Sequence, residues 1–310
     1  MTGAIHTGCA GSKIILLGEH AVVHGEDALV LGMPEAVCAT CRHADGFSVS
    51  IPAWTAPSGE NSRTPRNTGR DAIPDGMTGA FHCMFSKMKI DPPAVALEVT
   101  AGIPARAGLG ASAALGVACA RAINSLLNLR LTDDDIFEAV LAFENVFHHN
   151  SSGVDIRAAA HVGCGLYNRH RGYIAIEADL PLLLVVHSGV PGATGDTVKR
   201  FANRLQSHPD GPRQLKRLGE LTRPGKSALV QRDWRSLGAL MTEAHRILSW
   251  FDVSSPQLDN ICRLAMRHGA PGAKLTGGGG GGCAIILLER EDQRPAMRQI
   301  VQQAGYTVIM

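Results

Sequence analysis

Long runs of positive charge and long hydrophobic runs are both absent from this sequence of 310 residues. No five consecutive residues are all lysine or arginine, and the formal net charge is only +2. Because proteins that bind nucleic acid usually carry a strongly basic surface, we expect no nucleic-acid partner. The longest apolar stretches, such as LPLLLVV at residues 180–186, are too short to span a membrane, so we expect no membrane association. The opening segment lacks a basic start followed by a long apolar run, and we expect no signal peptide.

The cysteines are scattered rather than clustered, and there are eight of them: Cys9, Cys38, Cys41, Cys83, Cys119, Cys164, Cys262 and Cys283. Several lie among apolar residues, where a reduced cysteine acts as a small core side chain. We therefore expect a cytoplasmic enzyme rather than a disulfide-stabilised scaffold. Cys38 and Cys41 form a C-x-x-C pattern, but no second pair follows at a zinc-site spacing. We interpret both as strand residues that bind no metal.

The order of apolar and polar residues predicts an α+β protein. Strand-like runs (KIILLG, ALVLGM, AVCATCR, FSVSI) come first, and residues 56–79 have the composition of a long exposed loop. Thr132, followed by three aspartates, predicts the start of a helix that runs to residue 147 or 148. Helical spacing of apolar residues predicts further helices at residues 237–251 and 255–269. We expect two lobes, with a boundary near Pro181.

A glycine-containing loop, Gly108-Leu109-Gly110-Ala111-Ser112-Ala113, lies between a predicted strand and a predicted helix. Glycines let backbone N–H groups face a ligand, and a helix N-terminus stabilises phosphate. A Walker A loop would require a lysine that is missing here. A dinucleotide fingerprint matches formally, but the acidic residues that follow begin a helix instead of ending a strand. The alternative is a structural turn before a core helix.

Two further groups of residues carry chemistry. Lys13 precedes the segment Gly18-Glu19-His20, although a lone lysine at the head of a strand is usually solvated. His20 and His24 are four residues apart but lack an HExxH pattern, so we expect no metal site there. Glu144 and Asp155 would singly be surface charges. Together they suit phosphoryl transfer, in which one carboxylate holds Mg²⁺ and the other accepts a proton from a hydroxyl.

Six consecutive glycines at residues 277–282 follow KLT and precede CAIILL. A linker of this composition would be flexible, but too few residues follow it to form another domain. The alternative is that the missing Cβ atoms allow positive φ or a close approach of the backbone to another group.

In combination, KIILLGEHAVVHG, IPARAGLGASAA and GAKLTGGGGGGCAIILL resemble, in this order, the three motifs of the GHMP kinases. The segment LSWFDVSSPQLD and the GEHAVV opening are similar to the mevalonate-kinase branch of that family. The resemblance implies a two-lobed fold, with an S5-like α/β lobe over residues 1–181 and a ferredoxin-like α+β lobe over residues 182–310. It also implies that the six glycines form a tight loop between strands, packed against the phosphate loop.

The resemblance implies the following roles. The loop residues Ala107, Gly108, Leu109, Gly110, Ala111, Ser112 and Ala113 bind the phosphates of ATP. Ser112 and Glu144 hold Mg²⁺. Asp155 is the base toward the acceptor hydroxyl, with Lys13 beside it. Substrate-contacting positions are Glu19, His20, Thr194 and Gly279.

Three positions depart from the family pattern. Gly278 replaces the usual alanine, His149 replaces a glycine and Ser151 replaces a proline. Since Asp155 is kept, we expect phosphoryl transfer to be retained, while the shape of the acceptor pocket is less constrained. The leading hypothesis is ATP- and Mg²⁺-dependent phosphorylation of the 5-hydroxyl of mevalonate, with a homodimer as the candidate assembly. The alternatives are a related kinase for phosphomevalonate or another small hydroxy acid, a non-catalytic ligand sensor of the same fold, and a nicotinamide-binding protein.

Overall fold

The computed structural model describes residues 5–55, 76–147 and 151–310, and the chain divides into two compact units. Unit 1 contains Met1–Ser12, Pro34–Ala105 and Ala111–Ala160. Unit 2 contains Lys13–Met33, Arg106–Gly110 and His161–Met310. Both units mix helices and strands, which confirms the predicted α+β class. The boundary between residues 1–181 and 182–310 stays a prediction.

In unit 1 the strands are formed by the first half of the chain. The elements, in chain order, are β1 (His6–Leu17), β2 (Ala28–His43), β3 (Ser48–Ser50), α1 (Pro52–Thr55), α2 (Met77–Met88), β4 (Val95–Ala101), α3 (Ala111–Leu127), α4 (Asp133–Phe147) and α5 (Val154–Ala160). β1 and β2 also contribute residues to unit 2. Residues 37–43 of β2 pair antiparallel with β4, and β3 pairs parallel with the same strand.

The core of unit 1 lies among its helices. Phe81 of α2 is fully buried and contacts Phe143 of α4 with ring centroids 5.2 Å apart. The alanine-rich helix α3 packs against α4, and Gly116 allows this because a Cβ there would lie 2.7 Å from a methyl group of Val140. The predicted start of α4 is confirmed: Thr132 and Asp135 exchange side-chain and backbone hydrogen bonds of 2.7–3.2 Å.

Unit 2 contains two groups of paired strands. Its remaining elements, in chain order, are β5 (Gly163–Asn168), β6 (Gly172–Ile176), β7 (Leu183–His187), α6 (Thr194–Ser207), α7 (Gly211–Glu220), α8 (Thr222–Val230), α9 (Trp234–Trp250), α10 (Pro256–Arg267), β8 (Gly272–Thr276), β9 (Cys283–Leu287), α11 (Arg294–Gln303) and β10 (Thr307–Val308), with short 3₁₀ helices at Ala21–His24 and Glu291–Gln293. Residues 28–32 of β2 pair with β5, which pairs with β6. A separate four-stranded sheet has the order β10-β7-β9-β8.

The helices α9 and α10 pack on β8, the edge strand of that sheet. The predicted apolar stripe of α9 is confirmed, since Leu237, Met241 and Leu248 are fully buried. Backbone contacts backbone here, because a Cβ on Gly272 would lie 2.2 Å from the carbonyl oxygen of Gly238. The predicted start of α10 is also confirmed, since Ser255 caps it and Pro256 is its first residue.

Two predictions about local structure were wrong. ALVLGM and AVCATCR belong to one strand, β2, rather than two. Pro34 is tolerated because it lies between the stretch that pairs with β5 and the stretch that pairs with β4. The loop predicted for residues 56–79 ends earlier, since α2 begins at Met77. Residues 56–75 lie outside the described residues.

The expectation of reduced cysteines was wrong for one pair. Cys9 of β1 and Cys38 of β2 form a disulfide with their Cα atoms 4.1 Å apart. Cys41 is a free, buried thiol three residues further along β2, and side chains three apart on a strand point to opposite faces. Among the described residues there is no cluster of His, Cys, Asp and Glu that could hold a metal. In the same part of the chain no helix has the length and apolarity needed to cross a membrane.

Candidate active site

The six glycines form a tight loop between β8 and β9, which pair from Thr276 and Cys283 outward. Gly277, Gly279, Gly280, Gly281 and Gly282 all have positive φ, a conformation that side chains with a Cβ rarely adopt. This excludes the alternative of a flexible linker and confirms the predicted inter-strand loop.

This loop contacts the phosphate loop within unit 2. A Cβ on Gly108 would lie 2.8 Å from the carbonyl oxygen of Thr276, and a Cβ on Gly277 would lie 2.6 Å from that of Gly108. Similarly, a Cβ on Gly282 would lie 2.8 Å from the carbonyl oxygen of Ala107. The close approach predicted from the resemblance is confirmed, and it explains why glycines are needed on both sides.

Lys13 is held against the phosphate loop by two hydrogen bonds. Its backbone N–H donates to the carbonyl oxygen of Leu109 at 2.9 Å, and its Nζ donates to that of Gly108 at 3.3 Å. The side chain is only 3% exposed. A positive charge is thus fixed at the loop, rather than solvated as an isolated lysine would be.

Glu19 is fully buried and forms an ion pair with Lys274 of β8, which is also fully buried. Burial raises the pKa of Glu19 and lowers the pKa of Lys274, because both charges have lost water. Each charge opposes the other's shift. Lys274 lies within the quoted third motif, but the sequence reasoning gave it no role.

His20 stands next to Glu19 and contacts the glycine loop. Its Nε2 lies 3.1 Å from the carbonyl oxygen of Gly278, and its ring stacks on Phe201 with centroids 4.9 Å apart. Burial lowers the pKa of His20 to about 4. The imidazole is therefore neutral near pH 7, and the hydrogen bond requires the tautomer in which Nε2 donates.

Thr194 and Gly279 belong to two segments of unit 2 that contact each other. Thr194 is the first residue of α6, and a Cβ on Gly278 would lie 2.4 Å from its Oγ1. The side chain of Thr194 thus occupies the space that the usual alanine would need, which accounts for the departure at Gly278. The carbonyl oxygen of Gly279 accepts from the N–H of Ala193 at 3.2 Å.

The remaining predicted residues belong to unit 1. Ala111, Ser112 and Ala113 form the first turn of α3, where backbone N–H groups have no partner within the helix. Glu144 is buried on α4, and Asp155 is half-buried in the first turn of α5. The three helices pack against one another. The closeness of Lys13 to Asp155 stays a prediction, and His149 lies outside the described residues.

Ser112 and Glu144 have the right chemistry for Mg²⁺. The ion prefers oxygen ligands, and proteins usually supply one or two carboxylates while substrate phosphates complete its coordination. A hydroxyl at the start of α3 and a carboxylate on the adjacent α4 are such donors. These two residues fit the ion that the resemblance implies.

A network missed by the sequence reasoning stabilises β8. His245 of α9 has its Nδ1 3.3 Å from the N–H of Leu275 and its Nε2 3.1 Å from Asp259. Asp259 also accepts hydrogen bonds from Ser254 and Ser249. The contact with His245, supported by these two, lowers the pKa of Asp259. The only sequence signal was that Asp259 ends the segment LSWFDVSSPQLD.

Known proteins resemble this chain over most of its length. The mevalonate kinase of Aeropyrum pernix is 28% identical over 304 residues, covering 96% of this chain and 92% of that protein. The mevalonate kinase of Pyrococcus furiosus is 27% identical, covering 86% and 84%. Among solved structures, that of L. major mevalonate kinase in complex with R-mevalonate has a TM-score of 0.79 at 28% identity, covering 97% of this chain and 92% of that one.

The fold is also that of more distant structures. Methanococcus jannaschii mevalonate kinase has a TM-score of 0.80 at 23% identity, covering 99% of this chain and 97% of that one. Two family models match the sequence: GHMP kinases N terminal domain over residues 77–163, and GHMP kinases C terminal over residues 226–307. Together they span more than half of the chain, so the predicted resemblance is confirmed and this chain belongs to the GHMP kinases.

Proposed function

We propose that this protein transfers the γ-phosphoryl group of ATP to the 5-hydroxyl of mevalonate, giving 5-phosphomevalonate and ADP. The structural observation that carries the proposal is the contact of Lys13 with the phosphate loop, through Gly108 and Leu109. The relatives named mevalonate kinase, one of them solved with R-mevalonate, support mevalonate as the acceptor.

The phosphates of ATP bind at the loop that runs from Ala107 to Ala113. Gly108 and Gly110, both with positive φ, let backbone N–H groups face the phosphates. The first turn of α3 adds further N–H groups and the positive end of the helix dipole. Lys13 supplies a full positive charge at the same loop, which stabilises negative charge on the transferred group.

Ser112 and Glu144 would hold Mg²⁺ through their hydroxyl and carboxylate oxygens. When bound, the ion neutralises charge on the phosphate oxygens. Because Glu144 is buried on α4, its carboxylate has little conformational freedom to lose when it binds the cation.

Asp155 accepts or orients the proton of the attacking hydroxyl. It lies in the first turn of α5, which fixes the backbone that carries the carboxylate. Phosphoryl transfer has a loose transition state, so correct placement of the hydroxyl contributes at least as much as early removal of its proton.

Glu19, His20, Thr194 and Gly279 contact the acceptor. Neutral His20 donates to the carbonyl oxygen of Gly278 and leaves Nδ1 as a hydrogen-bond acceptor for a hydroxyl. Thr194 offers a hydroxyl at the start of α6. A cytoplasmic location and a homodimeric assembly remain predictions.

A coupled assay of ADP release tests the function. The acceptors are mevalonate, phosphomevalonate, galactose and homoserine, each with ATP and Mg²⁺. We expect mevalonate to give the highest kcat/KM by at least about tenfold, which corresponds to about 1.4 kcal/mol of transition-state discrimination. A higher value for another acceptor would reassign the substrate, and no turnover with any acceptor would favour a ligand sensor. Binding of NADH would support the nicotinamide alternative.

A further inference from the structure

Lys274 is a charged residue in the middle of a buried strand. Every residue of β8 is buried, and the Lys274 side chain is 0% exposed. Its Nζ donates to Oε1 of Glu19 and, at 2.6 Å, to the carbonyl oxygen of Leu275. A lysine in this position has lost its water and depends on these oxygens.

Stability alone does not account for such a pair. Removing two charges from water is costly, and replacing a buried ion pair by apolar residues of similar volume is often neutral or stabilising. The Glu19–Lys274 ion pair therefore contributes little to the stability of the fold, which favours a role in substrate binding or catalysis.

Only one of the two carboxylate oxygens of Glu19 accepts a hydrogen bond from a described residue. Oε1 is held by Lys274, whereas Oε2 is buried and accepts no hydrogen bond from any described residue. A buried carboxylate oxygen without a partner is costly, because it has lost its hydrogen bonds to water. Such an oxygen can accept a hydrogen bond from a bound ligand.

The consecutive residues Glu19 and His20 form a turn after β1, and both side chains contact the β8 segment. Glu19 contacts Lys274 within β8, and His20 contacts Gly278 just beyond its end. His20 has φ of 60°, an uncommon value for a residue other than glycine, and these two contacts hold the turn in that conformation.

We propose that Lys274 is a positioning residue that fixes Oε1 of Glu19 and leaves Oε2 to accept a hydrogen bond from a hydroxyl of the acceptor substrate. The inference rests on the proposed function, in which Glu19 contacts the acceptor. Lys274 itself touches neither substrate and acts through Glu19.

The charges around the pair determine what its removal does. Glu19 interacts electrostatically with Lys274 and Lys13, and the neutral His20 is its neighbour in the chain. Lys274 also interacts electrostatically with the Cys262 thiol. Burial raises the pKa of Glu19, and Lys274 is the largest opposing influence. Without Lys274, the pKa of Glu19 rises further, so the carboxylate is protonated up to a higher pH.

The test is a double-mutant cycle of Lys274→Met, Glu19→Gln and the double variant, with Lys274→Arg as the conservative control. Steady-state kinetics are measured with mevalonate and ATP varied separately, over a range of pH. We expect Lys274→Met to lower kcat/KM for mevalonate by at least about tenfold, with KM for ATP changed less than about threefold. The acidic limb of its kcat/KM profile should move to higher pH, and Lys274→Arg should recover part of the loss.

The double variant decides whether Lys274 acts through Glu19. If it does, the double variant has the same kcat/KM for mevalonate as Glu19→Gln alone. If the loss of kcat/KM in the double variant equals the product of the two single losses, Lys274 acts independently of Glu19 and the proposal is overturned. An equal rise in KM for both substrates would overturn it as well. If Lys274→Met fails to fold, the double variant is still compared with Glu19→Gln. The double variant leaves no buried charge, and in Glu19→Gln the new amide oxygen can still accept a hydrogen bond from Lys274.

Failure of the proposed function is recognised separately. Wild-type protein that turns over another acceptor of the panel refutes mevalonate as substrate, and the cycle is then measured with that acceptor. Wild-type protein that turns over none refutes both proposals at once through its lack of activity, whereas an additive cycle in an active enzyme refutes only the role of Lys274.

Discussion

Nε2 of His20 lies 3.1 Å from the carbonyl oxygen of Gly278, so a side chain of the first motif is bonded to the backbone of the glycine loop. This contact joins residues 258 positions apart in the chain. Burial keeps the imidazole neutral near pH 7, although the hydrogen bond to Gly278 partly opposes that shift of the pKa of His20.

The first prediction concerns the pH dependence of stability. The pKa of His20 is lowered from 6.5 to about 4, so between these values the unfolded chain binds more protons than the folded one. Stability from this residue is thus present above pH 6.5 and is lost as the pH falls toward 4. We expect about 2 kcal/mol of the free energy of unfolding to be lost from this source between pH 7 and pH 5.

Urea unfolding of wild-type protein and His20→Asn at both pH values measures the effect. Asparagine tolerates the positive φ of His20 and does not titrate, so this variant should lose the pH dependence that His20 contributes. Other groups that titrate in both proteins cancel in the comparison. Equal pH dependence of the two proteins would show that the imidazole is not buried in its neutral form.

The second prediction separates the conformational need for glycine from the steric one. Gly279 and Gly269 have φ of 78° and 84°, but a Cβ on Gly279 would lie 2.0 Å from the carbonyl oxygen of Val253, whereas Gly269 has open space. Gly269→Ala should cost about 1–2 kcal/mol from backbone conformation alone. Gly279→Ala should cost at least about 2 kcal/mol more, because overpacking adds to it. Free energies of unfolding that are equal would contradict the close packing of the loop.

The third prediction concerns Ser112. If its hydroxyl holds Mg²⁺, Ser112→Ala should raise the Mg²⁺ concentration needed for half-maximal rate by about tenfold or more, since one ligand is lost. Ser125→Ala is the matched control, because the same change is made on an exposed position of the same helix. Activity is measured while free Mg²⁺ is varied at fixed ATP. A Ser112 variant with an unchanged Mg²⁺ requirement would show that its hydroxyl serves only the start of α3.

Local signals made part of the fold predictable from the sequence. Thr132, Asp135 and Ser255 mark helix starts because their side chains accept hydrogen bonds from nearby backbone N–H groups. Pro256 marks one because its fixed φ suits the first helical position. Contacts over long sequence distances were less accessible. The Cys9–Cys38 bond depends on which strands are neighbours, and cysteine spacing alone does not fix connectivity.

The candidate site shows the same division. The glycines of the two loops could be identified because a close approach of two backbones requires residues without a Cβ, and such glycines are recognisable in the sequence. Lys274 was missed, since a single lysine between apolar residues looks like a solvated end of a strand. Its role appears only when Glu19, far away in the chain, is seen beside it. The helices α6, α7 and α8 were also not predicted, because their sequences are mostly polar and contain few apolar residues.

The last prediction concerns Asp155, the proposed base. Asparagine is nearly isosteric, so Asp155→Asn should fold and bind ATP much as wild type does, while the charge that accepts or orients the hydroxyl proton is lost. General-base contributions are typically about 10²–10⁴-fold, so kcat should fall by at least about 10². Asp133→Asn is the control, since it removes an exposed carboxylate from the first turn of the neighbouring helix α4. Steady-state kinetics and ATP binding by calorimetry measure both variants. Near-normal kcat in Asp155→Asn would make Asp155 a structural carboxylate and require another route for the proton.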